Sequence, residues 1–310
     1  MKIFDKFFAS KSELLKILPE VRGKYIENVR LDKHTWFGVG GPAEVLYLPE
    51  DIDDLKLFLM RKPSVVPVTV IGGGSNLLIR DGGIPGVVIK LDNHNFQKIK
   101  FNDTELTVGA GLRNSELKKE FIKRGFGGLE FICSVPGRIG GLLRTNGGCF
   151  GRNVSDVFVK ALVMNDWGEV HEVGAGDFNF SYRSSMFPEN WIVLEATFRG
   201  FISNSDDVKK ILDEHMEYRK AHQPVNKKTG GSTFKNPEGL AAWKLIKESG
   251  CTGLKVGGAE VSDMHCNFLI NSGNATAEDI EKLGDLIVKT VKEKTAVTLE
   301  WEVRKMGVKK

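Results

Sequence analysis

No stretch of this 310-residue chain comes near the roughly 18 consecutive apolar residues that a membrane helix needs. Its first twenty residues, MKIFDKFFASKSELLKILPE, alternate charged and apolar side chains at helical spacing and lack the unbroken apolar core of a secretory signal. The four cysteines, at 133, 149, 251 and 266, form neither a CxxC pair nor a zinc-like spacing. That pattern reads as reduced thiols in a cytoplasmic protein, with no metal site. Charge is balanced, 44 basic against 40 acidic residues for a net +4. No run of basic residues interleaved with aromatics is present, so nucleic acid is not expected as a partner. Two nucleotide signatures are also missing. There is no GxxxxGK loop followed by Ser or Thr, and no GxGxxG turn followed by a ribose-binding acid, which argues against P-loop and Rossmann sites. Repeats and low-complexity tracts are absent. What is left is a soluble globular protein long enough for two or three domains.

Glycine is what the chain has in excess, 35 residues or roughly 11% against a usual ~7%. The glycines cluster in GVGGPAE (38–44), GGGSNLLIRDGGIPG (72–86), GAG (109–111), GFGGLEF (125–131) and PGRIGGLLRTNGGCFG (136–151), with strand-like residues between them. Close approach of backbone to a ligand is one physical reason to place glycine in so many turns. The turn of VTVIGGGSNLL offers adjacent amides with Ser75 and Asn76, and SVPGRIGGLLRTNGG offers a second set. Successive N–H groups of this kind form concave nests for phosphate oxygens. Any one cluster is equally a tight turn in a β-rich domain. Two nests flanking one sheet favour a large dinucleotide without identifying it.

Periodicity gives the organisation. EVLYLP, VVPVTVI, GVVIKL and WIVLEATFRG read as strands, and EDIDDLKLFLMRK as an amphipathic helix with acids in its first turn. Hairpins are expected across Asn102-Asp103 and across Asp166-Trp167-Gly168, and a helix over SELKKEFIKRGF ending at Gly125. Beyond residue 201 helices dominate. One begins at a Ser205 cap with Val208, Ile211, Leu212 and Met216 on one face, and another carries Thr276 and Asp279 as a capping box. NFLIN and AVTLEWEV read as strands of a small α+β domain.

Eight motifs in order, from HTWFGVGGPAE, GGGSNLLIRDGGIPGVVI and GLEFICSVPGRIGG through NGGCFG, FSYRSSMF and GGSTFKNP to GGAEVSDMHCNFLIN and LEWEVRKMG, span nearly the whole chain. By these the chain resembles the UDP-N-acetylenolpyruvoylglucosamine reductases, in their shorter type without an extra substrate-covering insertion. The resemblance implies an α+β protein. Residues 1–30 would be a helical lead-in. An FAD-binding domain of the vanillyl-alcohol-oxidase (PCMH) type would follow over 31–200, in subdomains of about 31–95 and 96–200. A substrate-binding domain would fill 201–310. It implies non-covalent FAD, NADPH as co-substrate, and UDP-N-acetylglucosamine enolpyruvate as the molecule reduced, in a cytoplasmic monomer serving peptidoglycan synthesis.

The same resemblance assigns residues. Flavin N5 would deliver hydride to the vinyl CH2 carbon, and Ser232 of GGSTFKNP would protonate its neighbour. Arg183 of SYRSS would fork onto the substrate carboxylate, and Glu302 of LEWEVR would be the catalytic glutamate, with its pKa raised. The flavin would meet Gly72, Gly73, Gly74, Ser75, Asn76, Pro136, Gly137, Gly140, Gly141, Asn146 and Gly147. The substrate would meet Tyr182, Lys220, Lys235, Asn236 and Asn267, with Lys227 and Lys228 as competitors for the diphosphate. His265 would be substrate-facing or a buried structural histidine. Cys149 and Cys266 read as core-filling residues.

The chain departs from the family in two places. Where the flavin loop usually has Gly-Ile-Pro-Gly-Thr/Ser-Val-Gly-Gly it reads SVPGRIGG, with Ser134 and Arg138 substituted, and MNAG reads TNGG at 145–148. Arg138 would then either add a phosphate contact or point to solvent. An oxygen-using flavin oxidase and a non-catalytic UDP-sugar binding protein are the competing readings. The oxidase has no need of the serine, arginine and glutamate together, and in the binding protein the flavin site would be vestigial.

Overall fold

The computed structural model describes residues 11–310. The first ten residues, and with them much of the expected N-terminal lead-in, lie outside the described part. Within it the lead-in is helical only over Lys11–Ile17, because Lys24–Arg30 is a strand. Two compact units emerge. One runs up to Val29 and takes in Glu44–Gly73 and Gly86–Met216, and the other comprises Arg30–Ala43, Gly74–Pro85 and Glu217–Lys310. Residues 31–43 and Gly74–Pro85, expected in the FAD-binding domain, therefore pack with the C-terminal part of the chain.

The first unit is built on two sheets. In one, strands Lys24–Arg30, Pro42–Leu48, Ile84–Ile89 and Val68–Val70 lie side by side in that order, the last two parallel. In the other, five antiparallel strands run in the order Val170–Gly174, Phe158–Met164, Ile192–Arg199, Glu105–Gly109, Ile99–Asn102. Both expected hairpins form here, turned by Asp103 at φ +48° and Gly168 at φ +82°. Positive φ is cheap only for glycine and for short polar residues such as Asp and Asn. Helix Ile52–Arg61 is capped by Asp51, which accepts from the Asp54 N–H, and helix Leu117–Arg124 stops at Gly125 in the left-handed conformation. Helix Ser205–His222 starts one residue later than its cap. Asn204, not Ser205, accepts from the Asp206 N–H. Only Val208 and Leu212 of its apolar face are buried; Ile211 and Met216 are exposed.

The second unit has its own core, in which Phe37, Val39 and Leu78 join the C-terminal residues. Helix Ala277–Thr295 forms the expected capping box, and Ile280, Leu283, Ile287 and Val291 are fully buried along one stripe. Asp81 adds a second cap by accepting from the Ala277 and Glu278 amides. Strands Lys255–Val256, Ala259–Val261 and Leu269–Asn271 form an antiparallel sheet, and Arg304–Met306 pairs parallel with Leu77–Ile79. AVTLEWEV is not a strand. Ala296 ends the long helix at φ +61°, and only Trp301 makes a bridge, to Phe234, before the short strand Arg304–Met306. Among the described residues no helix is long and apolar enough to cross a membrane.

Candidate active site

Ser232 sits in the second unit on a segment pinned from both sides. It bridges to Phe268 on one side, and two residues on Phe234 bridges to Trp301 on the other. Between them Thr233 is fully buried. Its N–H donates to the Asn267 carbonyl at 2.7 Å, and its own carbonyl accepts from Glu302 N at 2.8 Å and Val303 N at 3.3 Å. The segments carrying Ser232 and Glu302 are thus joined through one peptide group. The two glycines before the serine serve different ends. A Cβ on Gly230 would lie 2.3 Å from a Phe37 ring carbon, so that glycine is required by packing. Gly231 has φ +81° with nothing within 4 Å of a built Cβ, so that glycine supplies the left-handed turn. Ser232 itself remains half-buried.

Glu302 is half-buried, and its carbonyl accepts from Asn76 Nδ2 at 3.2 Å while Arg304 N donates to the Asn76 carbonyl at 3.0 Å. The Asn76 amide is thereby occupied in holding the Glu302 segment. The same holds for Asn267, expected on the substrate. It is 3% exposed, its Oδ1 accepts from Phe234 N at 2.9 Å and its Nδ2 donates to Phe234 O at 2.8 Å. Buried amides seek full satisfaction, and Phe234 supplies both partners. Asn267 is a support of the Ser232 segment. His265 accepts from Asn267 N at Nδ1 and meets the Phe268 ring edge-on at 4.8 Å, and burial pushes its pKa down. Lys235 is paired with Glu300 at 2.6 Å, and exposed Asn236 caps the next helix by accepting from Ala242 N. Lys220, Lys227 and Lys228 are all exposed.

Arg183 belongs to the first unit. Tyr182 and Arg183 form the tip of a hairpin between Phe180–Ser181 and Ser184–Ser185, and Arg183 takes φ +55°. A left-handed non-glycine residue carries strain and persists only where its surroundings hold it. Here Asn146 Nδ2 donates to Ser181 O, Ser185 Oγ donates to Arg144 O, and Arg183 Nη2 donates to Gly148 O at 2.9 Å. Arg183 Nη1 lies 3.4 Å from Asn153 Oδ1, and the guanidinium carbon lies 5.3 Å from the ring of half-exposed Tyr182. Asn146, expected on the flavin, is 4% exposed, and its Oδ1 accepts from Ser155 N. Its side chain is therefore spent on the loop and hairpin that present Arg183.

A cleft opens in the first unit among Val70, Ile71, Gly72, Leu91, Ala110, Gly111, Arg138, Gly140, Gly141, Arg144 and Trp191–Val193. Of the residues expected to cradle FAD, Gly72, Gly140 and Gly141 line it. Gly141 has nothing within 4 Å of a built Cβ, and Gly72 has only the Arg138 Cβ at 3.9 Å. Neither has a positive φ, so neither glycine is demanded by the protein's own packing or backbone. The space beside them fits a ligand pressed against the chain. Other expected glycines are structural. A Cβ built on Gly73 would lie 2.9 Å from the Gly137 Cα, Gly74 has φ +67° with its Cβ direction blocked by the His34 carbonyl, and Gly147 is blocked by Leu142. Pro136 and Ser75 are not among the residues that line the cleft.

Sequence reasoning did not find Asp92, Lys90, Arg144, or the wall formed by Trp191–Val193. Arg138 does not point to solvent. It is 8% exposed, its Nη2 pairs with Asp92 and its Nη1 donates to the Gly111 carbonyl. Burial lowers its pKa, and Asp92 opposes that shift. The GAG glycine cluster at 109–111 was the one available signal, since Gly111 closes this corner. Both cysteines read as core-filling pack as such. Cys149 donates to the Phe131 carbonyl, and buried Cys266 lies 3.2 Å from Thr252 Oγ1.

Comparison with known proteins adds an independent measure. Residues 43–174 match the family model of an FAD binding domain, and residues 223–306 match that of the UDP-N-acetylenolpyruvoylglucosamine reductase C-terminal domain. The chain is 46% identical over 297 residues to a UDP-N-acetylenolpyruvoylglucosamine reductase of Parvibaculum lavamentivorans, covering 96% of each. It is 45% identical over 297 residues to that of a Bradyrhizobium species, covering 96% of this chain and 97% of the relative. The crystal structure of the corresponding enzyme from Thermus caldophilus is similar with a TM-score of 0.79 at 33% identity, covering 93% of this chain and 100% of that one. The expected order, a PCMH-type FAD-binding domain followed by an α+β C-terminal domain, agrees with both models. With such identity sustained over almost its full length, the chain belongs to the UDP-N-acetylenolpyruvoylglucosamine reductase family.

Proposed function

We propose that the chain is a UDP-N-acetylmuramate dehydrogenase. It reduces the enolpyruvyl ether of UDP-N-acetylglucosamine to UDP-N-acetylmuramate for peptidoglycan synthesis, with NADPH as reductant. The cleft lined by Gly72, Gly140 and Gly141 would hold FAD non-covalently, and FAD would supply the hydride for the vinyl CH2 carbon. The carbon bearing the carboxylate must then gain a proton, and that step falls to the Ser232 hydroxyl. The observation that carries this reading is the presentation of Ser232. Its backbone is fixed on both sides, its neighbour Thr233 is tied to Glu302, and the side chain stays half-buried at the end of a glycine turn. A hydroxyl donates to a developing carbanion only when held in place beside it.

Arg183 answers the charge that builds on the substrate carboxylate, with a planar fork that lysine lacks. Its guanidinium is already oriented by Gly148 O and Asn153. Glu302 acts with Ser232, on the segment that Asn76 and Thr233 position. Tyr182, Lys220, Lys235 and Asn236 meet the nucleotide sugar, Lys235 after exchanging its partner Glu300 for the substrate. In this reading the chain acts as a monomer, and its substrate places it in the cytoplasm.

The test is a pair of anaerobic half-reactions on the purified protein. NADPH should bleach the yellow flavin absorbance near ~450 nm, and the enolpyruvyl sugar nucleotide alone should restore it. A flavin that stays bleached until air enters would replace this reading with that of an oxidase.

A further inference from the structure

Helix Ala277–Thr295 carries a buried glycine in its interior, Gly284, whose φ is not positive. Glycine there costs stability relative to alanine, because it gives up more backbone freedom on folding. Neither the backbone conformation nor helix propensity calls for it. A Cβ built on Gly284 would lie 2.2 Å from Cζ2 and 2.3 Å from Cη2 of Trp301, far inside contact distance. The outer edge of the indole therefore rests on helix backbone, in a notch that only glycine leaves open.

The rest of the ring is held as well. Its centroid is 5.3 Å from that of Phe234 at an interplanar angle of 59°, and Lys305 Nζ stands over it at 4.4 Å. An ammonium over an indole face is attracted by the ring quadrupole. Lys305 is itself placed by two acids of the same helix, Glu281 Oε1 at 3.6 Å and Asp285 Oδ1 at 3.8 Å. Glu281, Gly284 and Asp285 fall at i, i+3 and i+4, so one stripe of the helix receives both side chains.

The seat matters for the reaction because of what Trp301 joins. It bridges to Phe234, two residues beyond Ser232, and Glu302 follows it directly. Past Glu302 the chain enters the strand Arg304–Met306, which pairs with Leu77–Ile79. Glu302 is thus suspended between the indole seat and that strand, and the Ser232 segment is tied to the same seat.

We propose that Trp301, seated on Gly284, is a positioning residue that sets the spacing of the Ser232 hydroxyl and Glu302 for protonation of the substrate carbon. The proposal rests on the catalytic reading of Ser232 and Glu302. Trp301 acts in it through the backbone it anchors, not by contact with the substrate. Displacing a proton donor by about 1 Å slows its reaction by up to ~10²-fold.

The test uses the full-length, flavin-loaded protein, with rates expressed per bound flavin. Reduction by NADPH protonates no carbon, so it is the internal reference. Reoxidation by the enolpyruvyl sugar nucleotide is followed anaerobically in H2O and in D2O. Gly284→Ala puts a methyl where the indole lies. It is expected to slow reoxidation by ~10–100-fold, hold reduction within about twofold and enlarge the solvent isotope effect on reoxidation. Trp301→Phe, a shorter ring that leaves the notch open, should do the same to a smaller degree, and it carries the comparison if Gly284→Ala does not fold. In Gly284→Ala/Trp301→Phe the methyl fills the space that the indole edge vacates, so reoxidation should be faster than in Gly284→Ala alone. Equal slowing of both half-reactions, an unchanged isotope effect, or a double variant slower than Gly284→Ala would make the seat a support of the fold alone and overturn the proposal. A wild-type reoxidation rate in Gly284→Ala would overturn it too. Ser232→Ala is measured alongside. If that variant reoxidises at the wild-type rate, the catalytic reading of Ser232 fails, and the positioning role fails with it.

Discussion

Asn267 grips Phe234 at both ends of one residue, accepting from its N–H at 2.9 Å and donating to its carbonyl at 2.8 Å. This is the pairing that a neighbouring strand would provide, made instead by one buried side chain. Phe234 lies two residues beyond Ser232, so the grip fixes the backbone segment that carries the hydroxyl. Asn267→Ala leaves both backbone groups without partners, at a cost of about 2–4 kcal/mol. The expected result is a lower Tm together with a substrate-dependent reoxidation that falls more than reduction by NADPH. A variant that melts early yet keeps the two half-reactions in proportion would show that the grip serves stability alone.

Two glycines give opposite expectations. Gly230→Ala drives a methyl to within 2.3 Å of the Phe37 ring and should destabilise by about 1–3 kcal/mol. Gly141→Ala meets nothing within 4 Å and should melt like the wild type. The open space beside Gly141 is what the cofactor needs, so the same change should weaken FAD binding severalfold. Paired thermal melts and FAD titrations decide it, and normal FAD affinity in Gly141→Ala would assign that space to something else.

What the sequence could and could not reveal follows from how far apart the interacting residues are. Both hairpins, the capping box at Thr276 and the left-handed stop at Gly125 were legible, because each is written within a few neighbouring residues. AVTLEWEV alternates like a strand, yet its partner is the irregular Ser232 segment and only Trp301 pairs. The packing role of the glycine at 230 is not written locally, since nothing near it in sequence announces Phe37 beside it. Polar residues near the motifs were expected on ligands, but Asn76, Asn146 and Asn267 turn their amides onto backbone. Nothing in the sequence singled out Asp92 or Lys90, because their connection to Arg138 exists only in the fold.

Arg183 is expected to be sensitive to charge-conserving change. Lysine keeps the positive charge but cannot donate to Gly148 O and fork onto a carboxylate at once. Arg183→Lys should lower the substrate-dependent half-reaction by about 10²–10³-fold while flavin reduction by NADPH holds. Stopped-flow traces of the two half-reactions test this, and an equal fall in both would remove Arg183 from the substrate carboxylate.

The second unit should weaken in acid through one ion pair. Glu281 receives Arg80 in a two-pronged contact, Nε to Oε2 and Nη2 to Oε1 at 3.0 Å each, with Lys305 Nζ 3.6 Å away. The hydrogen bonds from Arg80 hold the Glu281 pKa below the ordinary glutamate range despite its burial. A depressed folded-state pKa means that the unfolded chain binds the proton first. The contribution is therefore complete above the unfolded value near 4.5 and is lost as pH falls through the lower folded value. Glu281→Gln should cost about 1–3 kcal/mol at neutral pH and leave a shallower decline between neutral pH and the acid range. Urea unfolding of both proteins across that range measures the difference in slope. Parallel curves would mean that the acid sensitivity of this unit resides in other carboxylates.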